Sequence, residues 1–108
     1  MSNQIKNPFS RNENKQITYN IYNFLKKPTK ENKKIIEGIL NKYNLTNYFI
    51  ILNDPRNHNG MIKVNKDYLN AHNDVDNTFF YPIQNIIDET SKKITIEKQI
   101  LGNIARFF

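Results

Sequence analysis

Apolar residues along this chain recur in separated groups whose spacing changes from helical to extended and back again. Between Lys15 and Lys27, Ile17, Ile21, Phe24 and Leu25 stand at i, i+4, i+7 and i+8, which places them on one face of an amphipathic helix. Pro28 has no amide hydrogen to continue the ladder and ends it. Thr29 then offers an N-cap, Glu31 puts a carboxylate in the first turn, and Ile35, Ile36, Ile39, Leu40 and Tyr43 form a second apolar stripe. A second helix is therefore predicted directly after the first.

From Asn47 to Val64 the pattern reads as strand, polar loop and strand. Tyr48-Phe49-Ile50-Ile51-Leu52, closed by Asn-Asp-Pro, fits a strand buried on both faces, because β-branched and aromatic side chains pack well on a pleated surface. The loop Asn53–Gly60 is longer than a tight turn and rich in turn formers, with Asn59-Gly60 expected to supply the positive φ that closes it. No other stretch is so apolar, so the flanking elements are expected to bury their apolar faces against this hairpin.

Asn65 to Asn77 is polar apart from Tyr68 and Leu69 and is predicted to cover the hairpin edge as a loop or short helix. Thr78–Ile83 reads as an extended segment that could lengthen the sheet, since Pro82 disfavours helical backbone at Tyr81. Asn85–Thr90 fits a helical turn. Ile96, Ile100, Leu101, Ile104, Ala105 and Phe108 repeat at helical spacing behind Thr95 as N-cap and Glu97 in the first turn, predicting a C-terminal helix. Residues 1–14 lack apolar periodicity and are expected to form a flexible arm. Asn7-Pro8-Phe9 within it matches a short docking motif that chance explains in a chain this rich in Asn.

The expected architecture is α+β, one domain over residues 1–108: two N-terminal helices, a central antiparallel hairpin or small sheet, and a C-terminal helix. In element order alone this resembles a winged-helix module. No third helix with a recognition pattern falls between Tyr43 and Tyr48, so no family is assigned.

Composition narrows the function classes. With 108 residues, 24% charged, 38% hydrophobic, three glycines and four prolines, the chain has the make-up of a single folded domain. The absence of cysteine excludes disulfides, thiolate zinc sites and cysteine nucleophiles, and favours an intracellular, cytoplasmic location. No leader-like apolar region and no run near the roughly 20 residues that span a bilayer occurs, so no membrane association is expected.

The net charge of +6 ordinarily suggests a polyanionic partner. Nineteen Asn, sixteen Ile, two Ala and thirteen Lys against three Arg are, however, the signature of A/T-rich codons, so part of that charge is compositional. Its distribution is more telling: net +6 over residues 1–43, +1 over 44–70, −4 over 71–90 and +3 over 91–108.

Lys26, Lys27, Lys30, Lys33 and Lys34, joined by Arg56 in the hairpin loop, form a candidate basic face. It fits either a solvated helix surface or one that contacts phosphates. Asp74 and Asp76 form a candidate acidic segment suited to a partner's basic groove. Phe79, Phe80 and Tyr81 form a candidate aromatic patch, with core packing as the alternative. The two histidines, His58 and His72, with Lys63 or Lys66 and an orienting Asp54 or Asp74, contain the minimal set for metal-free RNA cleavage. Asp54, His58, Asp74 and Asp76 match no metal-loop spacing. No nucleotide-binding or common hydrolase motif occurs, and Asn44-Leu45-Thr46 is read as a chance glycosylation pattern.

The expected function is therefore binding without catalysis, cofactor or metal. Size, charge and lack of a catalytic motif suit a product of a phage, plasmid or other mobile element that inhibits or modulates a host nucleic-acid-handling protein or ribonucleoprotein. A direct DNA- or RNA-binding module using the lysine face is the alternative, and a small ribonuclease the third.

Overall fold

The computed structural model describes residues 7–54, 59–72 and 77–106. Its order is helix α1 (Arg11–Lys26), helix α2 (Lys30–Lys42), a 3-10 turn (Thr46–Tyr48), strands β1 (Phe49–Asp54) and β2 (Asn59–Val64), helix α3 (Lys66–Ala71) and helix α4 (Phe80–Arg106). The α+β architecture is as the pattern predicts, with a two-stranded antiparallel sheet.

α1 starts earlier than its apolar stripe implies, because its start is fixed by polar atoms. Ser10 Oγ accepts from the Glu13 amide at 3.1 Å and Glu13 Oε1 accepts from the Ser10 amide at 2.9 Å, a reciprocal capping box that satisfies two amides at the open helix end. Residues 11–14 thus belong to the helix rather than to an arm. Phe9, just before the cap, is buried. Its ring centroid lies 5.1 Å from that of Tyr43 and 5.4 Å from that of Phe79. The Tyr43 hydroxyl donates to Glu13 Oε2 at 3.3 Å. The Ser10 backbone amide first, then the Ser10 and Tyr43 hydroxyls and the charge of Lys42, hold the Glu13 carboxyl below its ordinary pKa against a smaller opposing effect of desolvation.

α2 is capped by Thr29, whose side chain accepts from the Asn32 amide, as predicted. It ends in a left-handed residue, Asn44 at φ 59°. The Leu45 amide reaches back to the Leu40 carbonyl at 2.7 Å and the Asn44 amide to the Asn41 carbonyl at 3.1 Å, the paired bonds of a Schellman ending. Leu45 and Leu40 are both buried beneath it. Ile35, assigned to the apolar stripe, instead lies exposed.

The C-terminal region departs most from expectation. Thr78–Ile83 adds no strand: α4 begins at Phe80 and runs 27 residues without a break. Pro82 falls in its first turn, where amides have no intrahelical acceptor and the fixed φ is already helical, so the ring removes no helix hydrogen bond there. The start is set by Asn77, whose Oδ1 accepts from the Phe79 amide at 2.8 Å while its Nδ2 donates to the Tyr43 carbonyl at 2.9 Å. One side chain therefore opens α4 and ties it to the end of α2. Thr95 is not a cap but a mid-helix residue, its hydroxyl donating to the Ser91 carbonyl at 3.0 Å. Phe80, Ile83, Ile86, Ile87, Thr90 and Ile94 form the buried face.

β1 and β2 pair in the register Phe49↔Val64, Ile51↔Ile62 and Asn53↔Gly60 on one face, with Ile50↔Lys63 and Leu52↔Met61 on the other. Only the first face meets the core, where Phe49 and Ile62 are buried. β1 is not buried on both sides, because a two-stranded sheet with helices on one side leaves its other pleat to solvent. Gly60 does not supply a positive φ either. It lies within β2, and a Cβ there would sit 2.5 Å from Phe24 Cε2 and 2.6 Å from the Phe24 carbonyl oxygen. Glycine is required by the closeness of α1. Asn65 caps α3 by accepting from the Tyr68 amide at 3.1 Å, in line with the short helix expected there.

Two outcomes test this packing. Gly60→Ala should cost about 3 kcal/mol in urea denaturation, and combining it with Phe24→Leu should not restore stability, since the backbone oxygen remains in the way. The stability that wild type holds over Glu13→Gln should be present at neutral pH and shrink as pH falls below the ordinary carboxylate range. A carboxyl whose folded pKa is depressed contributes only above its unfolded pKa and loses that contribution as pH drops through the folded value. Thermal melts of both proteins across the acid range read this directly.

Candidate functional site

Antiparallel registration puts Ile50, Leu52, Met61 and Lys63 on the outer pleat, because directly paired residues share a face and residues two apart follow one another along it. Leu52 stands opposite Met61, and Ile50 precedes Leu52 on the same side. Their exposures are 40% for Ile50, 41% for Leu52 and 37% for Met61. Three large apolar side chains are thus contiguous and half open to solvent, in contrast to single apolar residues scattered over a surface. Lys63 is exposed beside them. A cleft of about 310 Å³ runs along β2 from Asn59 to Ile62, with Ser91, Thr95 and Lys98 of α4 on its other wall, so a second lysine shares a concavity with Met61.

The sequence missed this surface because a continuous apolar run looks the same whether one face or two are covered. The alternation Met61-Ile62-Lys63-Val64 held the missing signal: a lysine two residues from Met61 marks the pleat that faces water.

The five helical lysines of the basic face are all exposed. Lys26 and Lys27 close α1 and Lys30, Lys33 and Lys34 open α2. Lys26 Nζ lies 5.5 Å from the Tyr22 ring centroid. Lysines favour a helix C-terminus and disfavour an N-terminus, so Lys30 and Lys33 are held against the local field of α2. Glu37, one turn beyond Lys33 and Lys34, dilutes the face. Arg56 lies outside the described residues, as do Asp74, Asp76 and His58.

The three aromatic residues separate. Phe80 is 1% exposed, stacked 5.3 Å from Phe49. Phe79 is half-buried between Phe9 and Tyr43, 4.6 Å from the latter. Tyr81 alone is open, at 53%. His72 stacks on Tyr68 at 4.1 Å, with Nδ1 3.1 Å from the Tyr68 carbonyl oxygen. That arrangement is a cap on the end of α3. Among the described residues no group of three His, Cys, Asp or Glu side chains is placed to hold a metal ion, and no described helix is long and apolar enough to cross a membrane.

No protein-family model, no curated protein and no solved structure matches this chain. The class it defines is a small α+β domain with one apolar sheet face left open.

The assignment of faces is checked by paired substitutions on the same hairpin. Leu52→Thr should change stability by about 1 kcal/mol or less, and Ile62→Thr should cost about 3 kcal/mol, both read from chemical denaturation.

Proposed function

We propose that this chain is a non-catalytic binding protein that docks an acidic segment of a protein partner on the outer face of its hairpin. The observation that carries the reading is the contiguous exposure of Ile50, Leu52 and Met61. Lys63 stands opposite Ile50, and Lys98 lines the cleft that Met61 also lines. Apolar anchors of this kind drive association by excluding water, and the neighbouring lysines select carboxylates and orient the segment. A partner strand laid along the hairpin edge would also find unpaired main-chain groups.

The narrower reading is that the protein inhibits or modulates a host nucleic-acid-handling protein or ribonucleoprotein on behalf of a phage or other mobile element. Its support is the small size and the net charge of +6. On this reading Lys26, Lys27, Lys30, Lys33 and Lys34 meet the nucleic acid that the partner carries. A second reading, direct nucleic-acid binding through those lysines, is favoured by the placement of Lys30 and Lys33 against the field of α2.

Panning a displayed random-peptide library on the purified protein tests the docking face. The expected consensus alternates apolar residues with Asp or Glu. Affinity of the enriched peptide should fall about tenfold or more in a Leu52→Ser, Met61→Ser double variant, the change expected when anchors at an interface centre are lost. It should be unchanged when Lys30, Lys33 and Lys34 are reversed to Glu. Peptides indifferent to Leu52 and Met61 would overturn the proposal. A steep loss of nucleic-acid affinity with rising salt, abolished by the triple reversal, is the result that favours the second reading.

A further inference from the structure

α1 and α4 pack along each other, and between them lies a groove separate from the hairpin face. Its volume is about 380 Å³, within the range of small-ligand sites. Asn14 and Thr18 of α1 line one side, and Tyr81, Asn85, Glu89 and Lys93 of α4 line the other. Asn14 and Thr18 also line a second hollow with Arg11 and Lys15, so two cations lie on the far side of these residues from the groove. Its apolar lining includes Pro82 and Ile86, both buried in the α4 packing.

The chemistry of this groove is specific. Tyr81 is the exposed member of its aromatic cluster, at 53%, and its ring makes an edge contact with Phe80 at 5.0 Å and 83°. An open aromatic ring is a platform for a flat π system. The Thr18 hydroxyl donates to the Asn14 carbonyl at 2.7 Å and lies 3.3 Å from Asn14 Oδ1. This turns the amide oxygen of Asn14 toward its own helix and leaves Nδ2 as a donor. Asn85 adds a carboxamide with both donor and acceptor, and Glu89 adds an acceptor. Carboxamides and a carboxylate around a flat ring form the set that reads the edge of an unpaired nucleobase. Arg11, Lys15 and Lys93 stand where flanking phosphates can meet positive charge.

From these residues we infer that the α1–α4 groove binds an unpaired nucleobase of a single-stranded nucleic acid, with Tyr81 stacking on the base, Asn14, Asn85 and Glu89 contacting its edge and the three cations contacting the phosphates. The site uses none of the α1–α2 turn lysines. It also takes a ligand class distinct from that of the hairpin face, so either can fail alone.

The test is fluorescence-anisotropy titration of labelled single-stranded RNA and DNA oligonucleotides and of a duplex of the same sequence, with circular dichroism confirming that each variant is folded. Single strands should bind about tenfold or more tightly than the duplex. Tyr81→Ala and Asn85→Ala should each weaken single-strand binding by about tenfold, Tyr81→Phe should retain it, and the preference for single strand over duplex should survive reversal of Lys30, Lys33 and Lys34 to Glu, which lowers affinity for both alike. Free nucleoside monophosphates should compete at high concentration and inorganic phosphate should not. If the duplex binds equally well, if Tyr81→Ala matches wild type, or if inorganic phosphate competes as well as the nucleotides, the groove is no base-binding site and the inference is overturned.

Discussion

The structure depends on the closeness with which α1 meets the hairpin. A two-stranded sheet has too little buried surface to persist alone, and here its inner pleat is held by Phe24 pressed against the backbone of Gly60. The same helix carries α2 and α4 along its length, so Ile17, Ile21, Phe24 and Leu25 serve three neighbours at once. A side chain at residue 60 would force the hairpin away from α1 and open the core at its centre. The other ends are tied by polar atoms: Ser10 with Glu13 at the start of α1, and Asn77 between the end of α2 and the start of α4.

This one-sided construction decides what the surface offers. Helices on the inner pleat leave the outer pleat uncovered, and it carries the apolar residues of a core strand without a core. The packing of α4 along α1 creates a groove that sets polar side chains and Tyr81 beside apolar Pro82 and Ile86. Lys26, Lys27, Lys30, Lys33 and Lys34 lie at the adjoining ends of the first two helices, where one helix terminus favours them and the next does not. Exposed apolar side chains, a groove of mixed lining and diffuse positive charge thus fall on different parts of the fold.

Much of the fold was legible in the sequence. The stripes of α1 and α2, the Thr29 cap and the two hairpin strands follow from periodicity and capping chemistry that act locally. What was not legible depended on tertiary context. Pro82 argues against helix in isolation and is harmless in a first turn, a position that Asn77 sets through contacts with residues more than thirty positions away. Thr95 looks like a cap and is a back-bonded residue within a helix already under way. Asn-Gly reads as a turn, yet Gly60 pairs with Asn53 within the sheet and is glycine because Phe24 leaves no room for a side chain. Exposure of Ile50 and Leu52 could be read only from the register with Met61 and Lys63. Phe80 and Tyr81 are neighbours in sequence, and only their places on α4 send one to the core and the other to solvent. The groove joins residues from both ends of the chain, and no local pattern announces such a pairing.

The open pleat has a consequence for colloidal behaviour. Two strands with free edges and an apolar outer face are a template on which other copies can add, which natural sheets discourage with charge. Lys63 supplies one such charge on the face itself, and the net +6 of the chain supplies repulsion between molecules. That repulsion is ionic and reaches only about 10 Å in 0.1 M salt, whereas apolar attraction survives screening. The net positive charge of the chain therefore opposes stacking of these open faces most strongly at low ionic strength.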